Sequence, residues 1–191
     1  MTVSAQTVPD QLDRRFRQAA ATAGLLDVGF DVVDSPVGPL LMAASDHGLC
    51  RISFESDPDR HLDRLAKEFG PRVLRSSAAV DSAHRQLDEY FAGERQGFEL
   101  DVDLRHTAPF AHVVLDELAR VPFGETTTYG ALADRVGAPR AARAVGTVMN
   151  RNPLPIVLPC HRVVGANGSL TGYGGGLHVK EHLLRHEGVL F

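Results

Sequence analysis

Cysteine is scarce in this chain of 191 residues, which carries it only at positions 50 and 160. Two isolated thiols make neither a CxxC pair nor a disulfide framework, and that pattern suits a reducing compartment. No Cys/His grouping has zinc-ligand spacing, so no metal is expected. Long apolar runs are also missing, and nothing approaches the ~18 residues needed to cross a bilayer. The opening MTVSAQTVPDQLDRRFRQAA has no apolar stretch of the secretory kind. A cytoplasmic protein with no membrane partner is the expectation. Excess positive charge is lacking too: 20 Lys+Arg against 24 Asp+Glu give a net of −4. Taken whole, that balance speaks against a nucleic-acid partner.

Its distribution along the chain speaks differently. Residues 1–120 hold 13 Lys+Arg and 20 Asp+Glu, a net of −7, while residues 121–191 hold 7 and 4, a net of +3. An acidic part followed by a basic part hints at an anion-facing module near the C-terminus. With 43% hydrophobic and 23% charged residues the composition is that of a globular protein, long enough for one large domain or two small ones.

The pattern of apolar residues predicts an α+β fold. A short amphipathic helix over 9–24 reads as an extension, so residues 1–27 are set apart. FDVVDSPVGPLLMAASDHGLCRISF, interrupted by SPVG and DHG, reads as a three-stranded antiparallel meander. Helical spacing follows in PDRHLDRLAKEFG and VDSAHRQLDEYFAGE, and alternation in FELDVDL predicts a further strand. RHTAP at 105–109 divides an N-terminal α/β unit, 28–105, from a mostly helical unit, 106–191. In the latter, PFAHVVLDELARV, TTTYGALADRV, RAARAVGTVMN and LHVKEHLLRHEG read as four helices. The second and third, joined by Gly137-Ala138-Pro139, form a helix-turn-helix. In its second helix Ala141, Ala142, Ala144 and Gly146 are small, and Arg140 and Arg143 lie three apart. Small residues allow close approach to a partner, and arginines can meet phosphates. A packing face with solvated arginines would look the same.

Cys50, between Leu49 and Arg51 on a predicted strand, reads as an inert core thiol. Cys160 has different company. In LPCHRVVG a histidine follows it directly, and an imidazole can take a thiol proton. On a regular strand the two side chains would point apart, so they need a turn, which Pro159 favours. Glu187 in HEG is the candidate carboxylate to orient the histidine. The glycine-rich TGYGGG at 171–176 adds one phenol, Tyr173.

VPFGETTTYGALA, PRAARAVG, NRNPLPIVLPCHRVVG and GSLTGYGGGLHVKEHLLRHEG, in this order and spacing, resemble the O6-alkylguanine-DNA alkyltransferases, also called methylated-DNA–protein-cysteine methyltransferases. The likeness covers residues 28–191 and is most specific from Val121 to Gly188. It implies a ribonuclease-H-like N-terminal unit and a winged-helix-like C-terminal one. The implied reaction is DNA repair: an alkylated guanine, and by extension O4-alkylthymine, is flipped from duplex DNA and its alkyl group passes irreversibly to cysteine, without a cofactor. By the resemblance Cys160 is the acceptor, His161 takes its proton through a water, Glu187 orients His161, and Asn152 braces the loop. Tyr173 and the Val163 backbone correspond to groups that bind the base, and Tyr129 to the tyrosine that crowds the target phosphate. Arg143 corresponds to the arginine that fills the vacated stack. Arg140, Ala142 and Gly146 share its helix, read as running from Arg140 to Asn150 in the narrow minor groove, where a bulky face would not fit. A monomer acting on alkylated double-stranded DNA is implied. The chain departs from the family at Gly130, in PFAHVV and at Asn150, all DNA-contact positions. Two other readings stay open, a non-catalytic damage sensor on the same scaffold and an unrelated Cys-His-Glu hydrolase.

Overall fold

In the computed structural model, residues 23–190 are described, together with Leu12, Arg15, Ala19 and Ala20. Of the helix expected over 9–24, Leu12, Arg15, Ala19 and Ala20 are helical and Ala23 and Gly24 form a turn; its other residues lie outside the described ones. The expected meander is present as β1 (Val28–Val33), β2 (Leu40–Ser45) and β3 (Gly48–Ser53), antiparallel throughout. Helix α1 (Asp59–Phe69) carries the chain back to a short strand β4 (Val73–Arg75), which runs parallel to β1 and completes the order β3-β2-β1-β4. Three residues are too few to show a period, so sequence patterning passes over β4. Its ends are held by ion pairs of Arg72 with Asp27 and of Arg75 with Asp31.

β2 shows why this sheet reads as apolar without alternation. Leu40 and Met42 join a cluster on the side of helix α2 (Ser77–Phe91), while Leu41 and Ala43 pack on the other side with Val28, Phe30, Cys50 and Leu65 of α1. Both faces are covered, so neither can be polar. FELDVDL, expected as a strand, makes only one bridge, Val102 to Leu49. The pairing stops there because Asp103 turns away to accept from the Ser45 hydroxyl (2.6 Å) and the Arg105 guanidinium. That approach requires Gly48, whose φ is 124° and where a Cβ would lie 2.2 Å from the Asp101 carbonyl.

The second part begins with α3 (Pro109–Ala119), with proline in its first turn as helices prefer. Two expectations change here. Thr127 and Thr128 are not helical; they form a two-residue strand β5, parallel to Val163–Val164 (β6). Helix α4 (Tyr129–Arg135) starts only after them, capped by Thr128 Oγ1, which accepts from the Ala131 N–H at 3.1 Å. The following helix α5 (Ala142–Asn150) begins two residues later than Arg140. The Ala141 N–H bonds the Ala138 carbonyl (2.8 Å), closing a turn that holds Pro139 and Arg140 outside the helix. A 3₁₀ turn at Cys160–Arg162 and helix α6 (Leu177–His186) complete the chain. One apolar cluster runs unbroken from Leu40, Met42 and Tyr90 of the first part to Leu118, Leu132, Val145, Leu154 and Leu183 of the second.

Candidate active site

Pro159 ends the preceding loop, and the Arg162 N–H closes back on its carbonyl at 2.9 Å. Cys160 and His161 therefore sit on one tight turn rather than on opposite faces of a strand. Val163–Val164 then pairs with β5, which fixes the turn against the start of the helix-turn-helix. Cys160 is buried, and His161 is fully so.

His161 Nε2 lies 2.8 Å from Glu187 Oε1. A carboxylate can only accept, so Nε2 carries the proton and Nδ1 presents its lone pair. Nδ1 is buried and has no partner among the described residues. Glu187, at the end of α6, is fully engaged. Its Oε1 also accepts from the Tyr90 hydroxyl (2.7 Å) and Arg162 Nη2 (2.9 Å), and its Oε2 accepts from Arg162 Nε (2.9 Å). Burial pushes this carboxyl upward, but the bonds from His161 and Arg162 outweigh it and hold it at about 2. Burial lowers His161 below the ordinary histidine value, against the pull of Glu187. The imidazole is therefore neutral at pH 7.

The Cys160 thiol is pushed up to about 11 by burial, with the Asn152 amide and the Lys180 ammonium pulling the other way. Roughly one molecule in 10⁴ would hold a free thiolate at pH 7, so bond formation must be coupled to removal of the proton. Lys180 is wholly buried on α6 and donates to the Val163 and Thr171 carbonyls. The Val163 backbone thus already carries one bond. Asn152 spans the loop before the cysteine, donating to the Leu158 carbonyl (2.8 Å) and accepting from the Leu154 N–H (3.0 Å). Within that brace Ile156 stands at φ 76°, a conformation that β-branched residues avoid.

Tyr173 places its ring 6.4 Å from His161 and 5.4 Å from Phe54 of the first part. Its hydroxyl is buried without a partner among the described residues, and burial raises it, so it stays a donor. Gly175 lies so close to Phe54 that a Cβ would meet the ring at 2.8 Å. A cavity of about 210 Å³ reaches Cys160 between Met149, Asn152, Pro155 and Gly174 on one side and Phe54 on the other. That is below the ~300–1,000 Å³ of sites for drug-sized ligands, and is the scale of a single base. A larger cleft, about 510 Å³, lies between α1 and α5, but its one thiol is Cys50. Burial raises that thiol to about 12 and it donates to the Ala43 carbonyl, which leaves Cys160, at the smaller cavity, as the candidate nucleophile.

Tyr129, the first residue of α4, bonds the Thr171 hydroxyl (2.7 Å), tying the helix-turn-helix to the glycine-rich loop. Gly146 lies against its ring, where a Cβ would stand 3.8 Å away. Ala142 is half-buried beside it, while Arg140 and Arg143 are exposed, the former on the turn and the latter on α5. The structure brings Cys160, His161, Glu187, Asn152 and Tyr173 into one site, and sets Tyr129, Gly146 and the arginines along an adjoining face. Sequence reasoning missed Arg162, Lys180 and Tyr90. Lys180 left a trace, since it occupies the apolar stripe of α6 with Val179, Leu183 and Leu184.

Comparison with known proteins agrees with this architecture. Residues 29–104 match the model of the ribonuclease-like domain of 6-O-methylguanine DNA methyltransferase, and residues 109–189 match that of its DNA binding domain. A methylated-DNA–protein-cysteine methyltransferase of Methanosarcina acetivorans is 41% identical over 159 residues, 83% of this chain and 97% of its own. One of Mycobacterium leprae is 44% identical over 155 residues, 81% and 89% of the two chains. The crystal structure of Mycobacterium tuberculosis OGT in complex with DNA superposes with a TM-score of 0.73 at 38% identity, over 85% of this chain and 94% of that one. Two domain models in the right order, and relatives matched along nearly their whole length, show that the chain belongs to the 6-O-methylguanine DNA methyltransferase family.

Proposed function

We propose that Cys160 is the alkyl acceptor in a single-turnover repair of O6-alkylguanine in duplex DNA, with O4-alkylthymine as a second substrate. Cys160 Sγ attacks the saturated carbon on O6. The S–C bond forms as the C–O6 bond breaks, and the thiol proton passes to His161 Nδ1 through a water. Negative charge develops on the departing base, and the Tyr173 hydroxyl, buried without a partner among the described residues, is the donor that would meet it. Glu187 holds the proton on Nε2 so that Nδ1 stays basic, and Asn152 keeps the cysteine loop in shape. The thioether is permanent because no group in the site reverses it. The observation that carries this reading is a buried, protonated Cys160 thiol lining a base-sized cavity, next to a neutral imidazole and a phenol whose Nδ1 and hydroxyl are buried without partners among the described residues. A hydrolase reading leaves the adjoining helix-turn-helix without a use.

The test is intact mass after incubation with O6-benzylguanine. One benzyl adduct per chain, mapped to Cys160, with no further substrate consumed, is expected. Label on Cys50, or repeated turnover, overturns the proposal.

Recognition would proceed through the minor groove, by a cytoplasmic monomer. Small residues on α5 let the helix enter the groove, with Arg140 on the turn before it meeting the backbone. Tyr129 would crowd the target phosphate, Arg143 would replace the flipped base, and the Val163 carbonyl would read its edge. Flipping costs a few kcal/mol, least for a weakened pair. Arg143→Ala should therefore slow repair of alkylated duplex strongly, on the order of tenfold or more. It should leave the rate with free O6-benzylguanine nearly unchanged. Equal losses on both substrates would show that the arginine is structural.

A further inference from the structure

Cavities, charged clusters and buried titratable groups outside the reacting residues single out one side chain of the first part that reaches the catalytic network. Tyr90 lies on α2, 97 residues before Glu187, and is fully buried. Its hydroxyl donates to Glu187 Oε1, the same oxygen that accepts from His161 Nε2. Its ring is held by Phe91, Phe98, Phe123 and His186 at centroid distances of 4.8–6.1 Å. Its own carbonyl accepts from His186 Nε2 at 2.7 Å. The phenol is thus aimed from both ends, and packing alone would have been satisfied by phenylalanine.

We infer that Tyr90 is a positioning residue for alkyl transfer, through which the N-terminal part sets the basicity of His161. The inference rests on the reading of His161 as the base. The Tyr90 hydroxyl and the His161 N–H compete for a single oxygen. A donor on Oε1 withdraws charge from the carboxylate, so the carboxylate stabilises the imidazolium less. Removing the hydroxyl leaves Oε1 more basic, and His161 then holds a proton up to a higher pH. Other charged or titratable groups around the pair are Arg162 on the turn, Lys180 on α6, the Tyr173 phenol, the Cys160 thiol and His186 against the Tyr90 ring. None of these changes when the Tyr90 hydroxyl alone is removed.

The experiment follows the rate of transfer from free O6-benzylguanine against pH, which leaves DNA binding out. The wild-type rate should fall on the acid side as His161 Nδ1 takes up a proton. In Tyr90→Phe the midpoint of this limb should rise by about half to one pH unit. Replacing Tyr90 by 3,5-difluorotyrosine makes the phenol a stronger donor, keeps the bond and should move the limb the other way. This second variant also serves if the phenylalanine variant is too unstable to assay. A limb that stays put in whichever of the two folds reduces Tyr90 to a packing residue, even if both rates drop. A wild-type protein with no acid limb, or with no transfer to Cys160, would instead refute the functional reading itself. His186→Gln, which retains a donor for the Tyr90 carbonyl, should leave the limb in place; a limb that follows this variant assigns it to His186 and overturns the role of Tyr90.

Discussion

Cys160→Ala is expected to leave no detectable alkyl transfer to the protein while preserving the fold and DNA binding. The side chain lost is small, so the cost in stability should be about 1 kcal/mol. No other group can stand in for the nucleophile. Cys50 lies across the sheet from the site, packed with Val28, Phe30 and Leu65, and burial holds its thiol at about 12. Lys180 is buried with its protons committed to two carbonyls. Intact mass after prolonged incubation with O6-benzylguanine, beside a gel-shift titration on duplex DNA, reads both halves of the expectation. Any alkylated product in this variant would mean that the acceptor has been misassigned.

Glu187→Gln should be the most damaging single substitution of an uncharged isostere. The carboxylate receives donors from His161, Tyr90 and Arg162 at once, and an amide can accept at only one of its two positions. Its N–H groups would then face the Arg162 guanidinium in a buried place. Leaving a buried charge uncompensated costs about 3–5 kcal/mol. Transfer should fall on the order of 10³–10⁴-fold, as when a histidine loses the carboxylate that fixes its tautomer.

The pH dependence of stability carries the same signature. The folded-state value of Glu187, about 2, lies below its ordinary 4.5, so its contribution is complete above pH 4.5 and is lost as pH falls toward 2. His161 is also lowered, and neutral burial disfavours the fold as pH drops below 6.5, where the unfolded chain takes up a proton first. Urea midpoints across this range should decline in two stages for the wild type. The variant should lack the lower stage, and its midpoint at pH 7 should already be depressed. An unchanged midpoint at pH 7 would show that the network adds nothing to stability.

What the sequence made legible follows from how far apart the cooperating residues lie. Cys160, His161 and Asn152 fall within nine positions, and a thiol beside an imidazole has few structural uses. Glu187 was accessible because it stands in a helix-ending HEG directly after the amphipathic LHVKEHLLR. Tyr90 could not be found this way, since its aromatic ring explains its presence on an apolar helix face and only the fold puts its hydroxyl on Glu187. The meander and most helices were readable from period and turn residues. The failures came where contact overrides pattern: Thr127 and Thr128, read as the start of a helix, pair with Val163–Val164 instead, with Thr128 still capping the helix that follows, and an alternating FELDVDL was diverted by Asp103 to Ser45 and Arg105. Arg140 looked helical because Pro139 suits a first turn, yet the 138–141 turn uses that proline before α5 begins.

The apolar cluster that passes without a seam from β2 and α2 into α3, α4 and α6 bears on how this protein comes apart. Two segments that family models treat as separate modules share one interior here, and the Ile52 N–H even bonds the Pro153 carbonyl across the divide at 2.8 Å. Such an interior melts cooperatively, as one unit rather than two. Either half expressed alone would expose what the other covers, and the C-terminal half would also lose the phenol on its carboxylate. Chain cleavage near residues 105–109 should therefore inactivate the protein, and partial proteolysis should yield fragments that stay associated or aggregate rather than a working catalytic module.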